Sequence, residues 1–220
     1  MSQKPVISGL YAVTPDFSDT DELLRCVRLA LQGGASLVQY RNKTASAQLR
    51  AEQARALHQL TLQFSTPLII NDDIQLAKAV NAEGVHLGAA DASIDAAKAA
   101  LGQNKFIGVS CYNRKSLAQQ AVRAGVDYIA FGAFYSSSIK PEAVRAETEI
   151  LSWAQREFDV PVVAIGGITA SNGTALLEAG ADALAVITAV FDAEDIQSSA
   201  QEFSTFISKV QHDITKSNVI

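Results

Sequence analysis

Cysteine is scarce, with only Cys26 and Cys111 in 220 residues. Two thiols so far apart exclude a disulfide framework and a zinc-binding cysteine pattern, and they fit a reducing compartment. Basic charge is also in deficit: 18 Lys and Arg stand against 23 Asp and Glu, a formal net charge of -5. No basic run stands out, so the electrostatic footprint of a nucleic-acid binder is missing. No apolar stretch reaches membrane-spanning length. The opening MSQKPVISGLYAVT lacks the long apolar segment of a signal peptide. The expected location is therefore the cytoplasm. Linkers, low-complexity tracts and breaks in composition are missing too, so one domain over residues 1–220 is expected.

What is present is a regular alternation. Hydrophobic residues make up 48% of the chain, enough for one substantial core. Short β-rich runs fall at residues 9–14, 36–41, 67–71, 84–88, 105–110, 127–132, 161–167 and 182–187. Helical stretches separate them, several closed by a Gly stop such as Gly33-Gly34. The first of these helices has Asp19 or Thr20 as its cap. The strands are continuously apolar, as in a parallel sheet covered on both faces. Eight β/α units in one chain predict an α/β fold, a single-domain (β/α)8 TIM barrel, with a doubly wound open sheet as the alternative.

In such a barrel the chemistry sits at the C-terminal ends of the strands. The stretch LVQYRNK, residues 37–43, runs off one of those ends. Its Gln39, Arg41 and Lys43 are spaced two apart, so an extended chain aims them the same way. In an acidic protein such a cluster is either solvated surface charge or a site for a highly charged anion. Next along the rim comes NDD, residues 71–73. These side chains either cap the following helix or offer Asp72 to Mg2+, a hard cation that often takes only one or two carboxylates beside phosphate oxygens. Asp91 follows the next strand, where it either caps a helix or faces Asp72.

The other rim positions extend the pattern. Gly166 and Gly167 end the seventh strand, and a helix expected from Ala170 or Ser171 would offer free N–H groups to a phosphate. A plain Gly-Gly turn is the competing reading. Ile187 and Thr188 end the eighth strand, and Ser110 ends the fifth. The longest connection, residues 132–147, holds three consecutive serines and Lys140, and reads as a lid or as a solvated loop. His86 reads as a packed, hydrogen-bonded residue rather than a catalyst. His58, His212 and Trp153 read as surface or packing residues, and Cys111 as a bystander.

Taken in order, YAVT, QYRNK, NDD, GVHLG followed by Asp91, GVS, AIGGIT and AVIT span nearly the whole chain. This ordered set resembles the thiamine phosphate synthase family. The resemblance implies a (β/α)8 transferase that joins hydroxymethylpyrimidine diphosphate to hydroxyethylthiazole phosphate and releases pyrophosphate, with Mg2+ as cofactor. It implies that Gln39, Arg41, Lys43 and Asn71 hold the pyrimidine diphosphate. Asp72 and Asp91 bind the metal, and Ser110 and Lys140 also reach the pyrophosphate or the pyrimidine. Gly167, Ile187 and Thr188 receive the thiazole phosphate. Arg41, Lys43, Ser110 and Lys140 then carry the catalysis, with phosphorylated small molecules as the partners and self-association into a homo-oligomer left open.

Departures from the family pattern stand at Ala89, Cys111, Tyr112, Ser136, Ser137 and Ile139. Ser137 is expected to supply a hydroxyl that Ile139 does not have. Two other readings follow from these departures, a thiazole tautomerase-like relative and a non-catalytic phosphate-ligand-binding barrel. Asp73 and Tyr112 favour the synthase over the tautomerase.

Overall fold

The computed structural model describes residues 6–88, 93–136 and 144–217. Eight strands are present: β1 (Gly9–Val13), β2 (Leu37–Tyr40), β3 (Leu68–Asn71), β4 (Gly84–Leu87), β5 (Phe106–Tyr112), β6 (Tyr128–Phe131), β7 (Val162–Ile165) and β8 (Ala183–Val186). Each pairs in parallel with the next, and β1 also pairs with β8, Leu10 opposite Leu184. That last pairing closes the sheet and excludes the open doubly wound alternative. The chain is an α/β, (β/α)8 barrel.

The strands are joined by α1 (Thr20–Gln32), α2 (Ala47–Gln63), α3 (Ile74–Val80), α4 (Ile94–Leu101), α5 (Lys115–Arg123), α6 (Glu149–Glu157) and α7 (Thr174–Glu178). After β8 come α8 (Thr188–Phe191) and the long α9 (Ile196–Ser217). Local chemistry sets several starts. Asp19, Ser46 and Ser93 each accept a backbone N–H from the first turn of α1, α2 and α4. The short α8 lacks enough residues to show a helical period, and the sequence pattern reads through it.

Two separate apolar cores follow from strand alternation. Side chains at i and i+2 share a face, so Leu10, Ala12, Val38, Ile70 and Leu184 pack outward under the helices. The other phase fills the lumen with Tyr11, Val13, Leu37, Ile69, Phe106, Tyr128 and Val163. Glycine makes room for the largest of these. A Cβ on Gly108 would run into the ring of Tyr128, its partner in register on β6. Tyr128 therefore reaches across the lumen, and its ring meets Tyr11 edge-on with centroids 6.2 Å apart.

The lumen phase carries polar groups toward the C-terminal mouth. Tyr11 and Tyr128 share a hydroxyl–hydroxyl hydrogen bond of 2.9 Å. Gln39 Nε2 donates to the Tyr11 oxygen at 3.0 Å. His86 stacks on Tyr128, with Nδ1 3.0 Å from its hydroxyl and Nε2 2.9 Å from Ser110 Oγ. His86 is thus a packed, hydrogen-bonded residue. Burial pushes its pKa from 6.5 down to about 4.

That depression ties stability to pH. Between pH 6.5 and about 4 the unfolded chain binds a proton at His86 that the native chain refuses. Stability from this residue is full above pH 6.5 and is lost as pH falls, by up to about 1.4 kcal/mol per pH unit for one proton. Urea denaturation of wild type and His86→Gln across this range should show the wild type losing stability faster toward acid. Parallel pH curves for the two proteins would contradict the buried neutral histidine.

Candidate active site

The end of β2 is held open by two anchors. Thr14 Oγ1 accepts the Arg41 backbone N–H at 2.9 Å and donates to the Arg41 carbonyl at 3.0 Å. Asn42 turns back into the fold, donating to the Phe17 carbonyl at 2.6 Å and to Gln53 Oε1 at 3.0 Å. Its own Oδ1 accepts the Ala45 backbone N–H. Pinning the middle residue this way leaves Arg41 and Lys43 on the opposite side, above the mouth. The two cations are therefore brought together by a loop, since β2 ends at Tyr40.

An acid that the sequence pattern did not single out sits between them. Asp16 Oδ1 accepts from Arg41 Nη1 at 3.0 Å and from the Lys43 backbone N–H at 3.2 Å. Its only sequence signal is a position three residues past the first strand, shared by many loop acids. Lys43 Nζ lies 3.6 Å from Asp72, with the Lys43 side chain 53% exposed. An ion pair this exposed is worth at most about 1 kcal/mol, so Lys43 is free to trade it for a ligand.

The NDD run divides its labour. Asp73 caps α3, accepting the Leu76 N–H at 2.8 Å. Asp72 does not cap. Its backbone is left-handed, φ 62°, with its N–H bonded to the His86 carbonyl at 2.8 Å. This swings its carboxylate to Lys43 and to Asn71, whose Nδ2 donates to it at 2.6 Å. Beyond Lys43 and Asp72, between the sheet and helices α2 and α3, lies a cavity of about 670 Å3 bordered by Tyr40, Arg50 and Ile70. Among the described residues, no group of three or more His, Cys, Asp or Glu converges. Asp91, the second expected metal ligand, lies outside the described residues.

At the far side of the mouth the glycine pair has a packing role. Gly166 and Gly167 have φ of 105° and 64°. A Cβ on Gly167 would strike Ser136 and Tyr135, and one on Gly166 would strike Ala133. The connection after β6 thus crosses directly over them, with the Tyr135 N–H bonded to the Gly166 carbonyl at 3.0 Å. The helix expected from residue 170 or 171 instead begins at Thr174. Asn172 explains the delay. Its Oδ1 accepts the Thr169 N–H and its Nδ2 donates to the Gly167 carbonyl, offering the backbone a turn in place of a helix. Gly167 and Ile187 each lie two residues beyond the paired Ile165 and Ala185, past the ends of neighbouring strands. Thr188 opens α8. Ser137 and Lys140 lie outside the described residues; of that connection, Ser136 is seen accepting from Arg145 at 2.6 Å.

The rim thus joins two cations, Arg41 and Lys43, with the carboxylates of Asp16 and Asp72, above a neutral floor of Gln39, His86 and Ser110. The described residues of this site fall within a region, residues 10–190, that matches the family model for thiamine monophosphate synthase. The thiamine-phosphate synthase of Methylobacillus flagellatus is 53% identical over 199 residues, covering 90% of this chain and 95% of that protein. That of Nitrosomonas eutropha is 50% identical, covering 90% and 93%. Among solved structures, the thiamine phosphate pyrophosphorylase of Pyrococcus furiosus superimposes with a TM-score of 0.82 at 34% identity, covering 92% of this chain and 96% of that one. Matched along most of its length by family model, relatives and structure alike, the chain belongs to the thiamine monophosphate synthase family.

Proposed function

We infer that this protein joins hydroxymethylpyrimidine diphosphate to hydroxyethylthiazole phosphate, giving thiamine phosphate and pyrophosphate. The observation that carries this reading is the convergence of Arg41 and Lys43 above a neutral, hydrogen-bonded floor at the C-terminal mouth of the barrel. Family membership over residues 10–190 supplies the reaction.

The chemistry divides as the site does. The bond from the pyrimidine CH2 to the diphosphate oxygen breaks, and the electron pair leaves with pyrophosphate. The electron-rich pyrimidine stabilises the resulting cation, and the thiazole nitrogen attacks it. The leaving group needs charge stabilisation, which we assign to Arg41, Lys43 and Lys140. The nucleophile needs only positioning, which we assign to Gly167, Ile187 and Thr188 at the far rim. Gln39, Asn71 and Ser110 hold the pyrimidine end, and Ser137 serves the phosphate contact that Ile139 lacks. No general base is required, and the neutral His86 on the floor is consistent with that.

Mg2+ fits the donor set. Asp72 is a hard oxygen ligand that caps no helix and sits beside Lys43, where a diphosphate would lie. We assign it, with Asp91, to the metal, which when bound would neutralise charge on the departing pyrophosphate. We place the enzyme in the cytoplasm. Its free, buried Cys26 and Cys111 agree with a reducing compartment, and no described helix is long and apolar enough to cross a membrane.

The test is a coupling assay with purified protein, both precursors and Mg2+, reading thiamine phosphate and pyrophosphate. Equal release of the two products is expected; a protein inert toward this pair would overturn the reading. Arg41→Ala should cost roughly 2–4 kcal/mol of transition-state stabilisation, seen as a fall in kcat with the circular-dichroism melting curve kept. Asp72→Ala, or excess chelator on wild type, should remove most turnover. Full activity in either case would sink the metal assignment.

A further inference from the structure

Five polar side chains cross the barrel mouth in one unbranched chain: Gln39, Tyr11, Tyr128, His86 and Ser110. They come from β2, β1, β6, β4 and β5, and Tyr11 and Tyr128 are fully buried. Counting protons gives the chain a direction. The Tyr11 oxygen accepts from the Gln39 amide, so its single proton is left for Tyr128. The Tyr128 proton is then left for His86 Nδ1. A neutral ring accepting at Nδ1 carries its proton on Nε2 and donates it to Ser110 Oγ. The Ser110 proton is the one left over, available to a group in the mouth.

We propose that Tyr11, Tyr128 and His86 are positioning residues that couple the two ends of this chain, so that the orientation of the Gln39 amide dictates whether Ser110 meets the substrate as donor or acceptor. This rests on the reading that both ends touch the pyrimidine. In the present orientation Gln39 keeps Oε1 and one N–H. That is the complement of an amidine edge, an amino group beside a ring nitrogen, and Ser110 is then a donor. Turning the amide over reverses every bond in the chain and makes Ser110 an acceptor. A mixed state leaves one buried junction with two donors or two acceptors facing each other. Such a fault lowers its population roughly tenfold or more, so the chain reverses as a unit.

Burial supports this. It raises the pKa of both tyrosines above the ordinary value, so each keeps its single proton to give. Among the described residues no buried side-chain polar atom is left without a partner.

The experiment reads the tautomer of His86 by 15N NMR at pH 8, assigned with His86→Gln. Wild type is expected to carry its proton on Nε2. In Gln39→Glu the new carboxylate can only accept from Tyr11, so the chain reverses and the His86 proton should move to Nδ1, three hydrogen bonds from the substitution. Cutting the chain in the double variant Gln39→Glu/Tyr11→Phe should restore the Nε2 proton. A wild-type His86 protonated on Nδ1 overturns the proposal, even if no variant folds. So does a tautomer unmoved by Gln39→Glu, or a switch that survives the cut. Tyr11→Phe should also raise KM for the pyrimidine diphosphate roughly tenfold while leaving KM for the thiazole phosphate unchanged; unchanged kinetics for both would overturn the positioning role. A wild type that fails the coupling assay removes the synthase reading but leaves the tautomer result standing.

Discussion

The hydrogen bond between the hydroxyls of Tyr11 and Tyr128 joins opposite walls of the barrel, residues 117 apart in sequence. The polar floor hangs from it. A tyrosine buried in an apolar lumen must place its hydroxyl on a partner, since an unmet one costs about 1–3 kcal/mol. Each tyrosine meets that requirement through the other, and the outer bonds then orient Gln39 on one side and His86 with Ser110 on the other. The absence of a side chain at Gly108 is what lets the Tyr128 ring lie across the lumen. A small residue on one strand thus helps determine where Gln39 and Ser110 stand.

Charge is kept off that floor. The floor is neutral throughout, with His86 held uncharged by burial, while the ionic groups Asp16, Arg41, Lys43 and Asp72 sit on the rim above it. A diphosphate ester needs both environments. Its aromatic end binds through directional hydrogen bonds to neutral groups, and its leaving group gains from cations, of which Lys43 holds its present partner only by an exposed ion pair. The rim cations are placed by neutral anchors, Thr14 and Asn42, which hold the backbone whatever the ligand does.

Much of this was legible in the sequence because it follows from local pattern. Continuously apolar strands between Gly-stopped helices specify the barrel, and the barrel places Gln39, Arg41, Lys43, Asn71, Asp72 and Ser110 on one rim. Within NDD, the sequence leaves open which residue caps the helix; the left-handed backbone of Asp72 leaves the cap to Asp73, and its N–H is bonded to His86 on the neighbouring strand. The Tyr11–Tyr128–His86 link was hidden for a related reason. When both faces of a strand are apolar, periodicity does not say which face is inward, and only barrel closure brings the three together. Asp16 looked like any loop acid. The late start of α7 reflects a competing turn around Asn172 that propensity alone does not reveal.

The proposed reaction requires the floor and the rim to hold one molecule together. A crystal structure with a non-reactive analogue of hydroxymethylpyrimidine diphosphate and Mg2+ tests it most directly. The ring is expected over the lumen, with Gln39 and Ser110 both hydrogen-bonded to it, and the diphosphate on Arg41 and Lys43 with Asp72 turned from Lys43 toward the metal. An analogue seated instead in the cavity between the sheet and helices α2 and α3, with Arg41 still on Asp16 and the floor untouched, would contradict it.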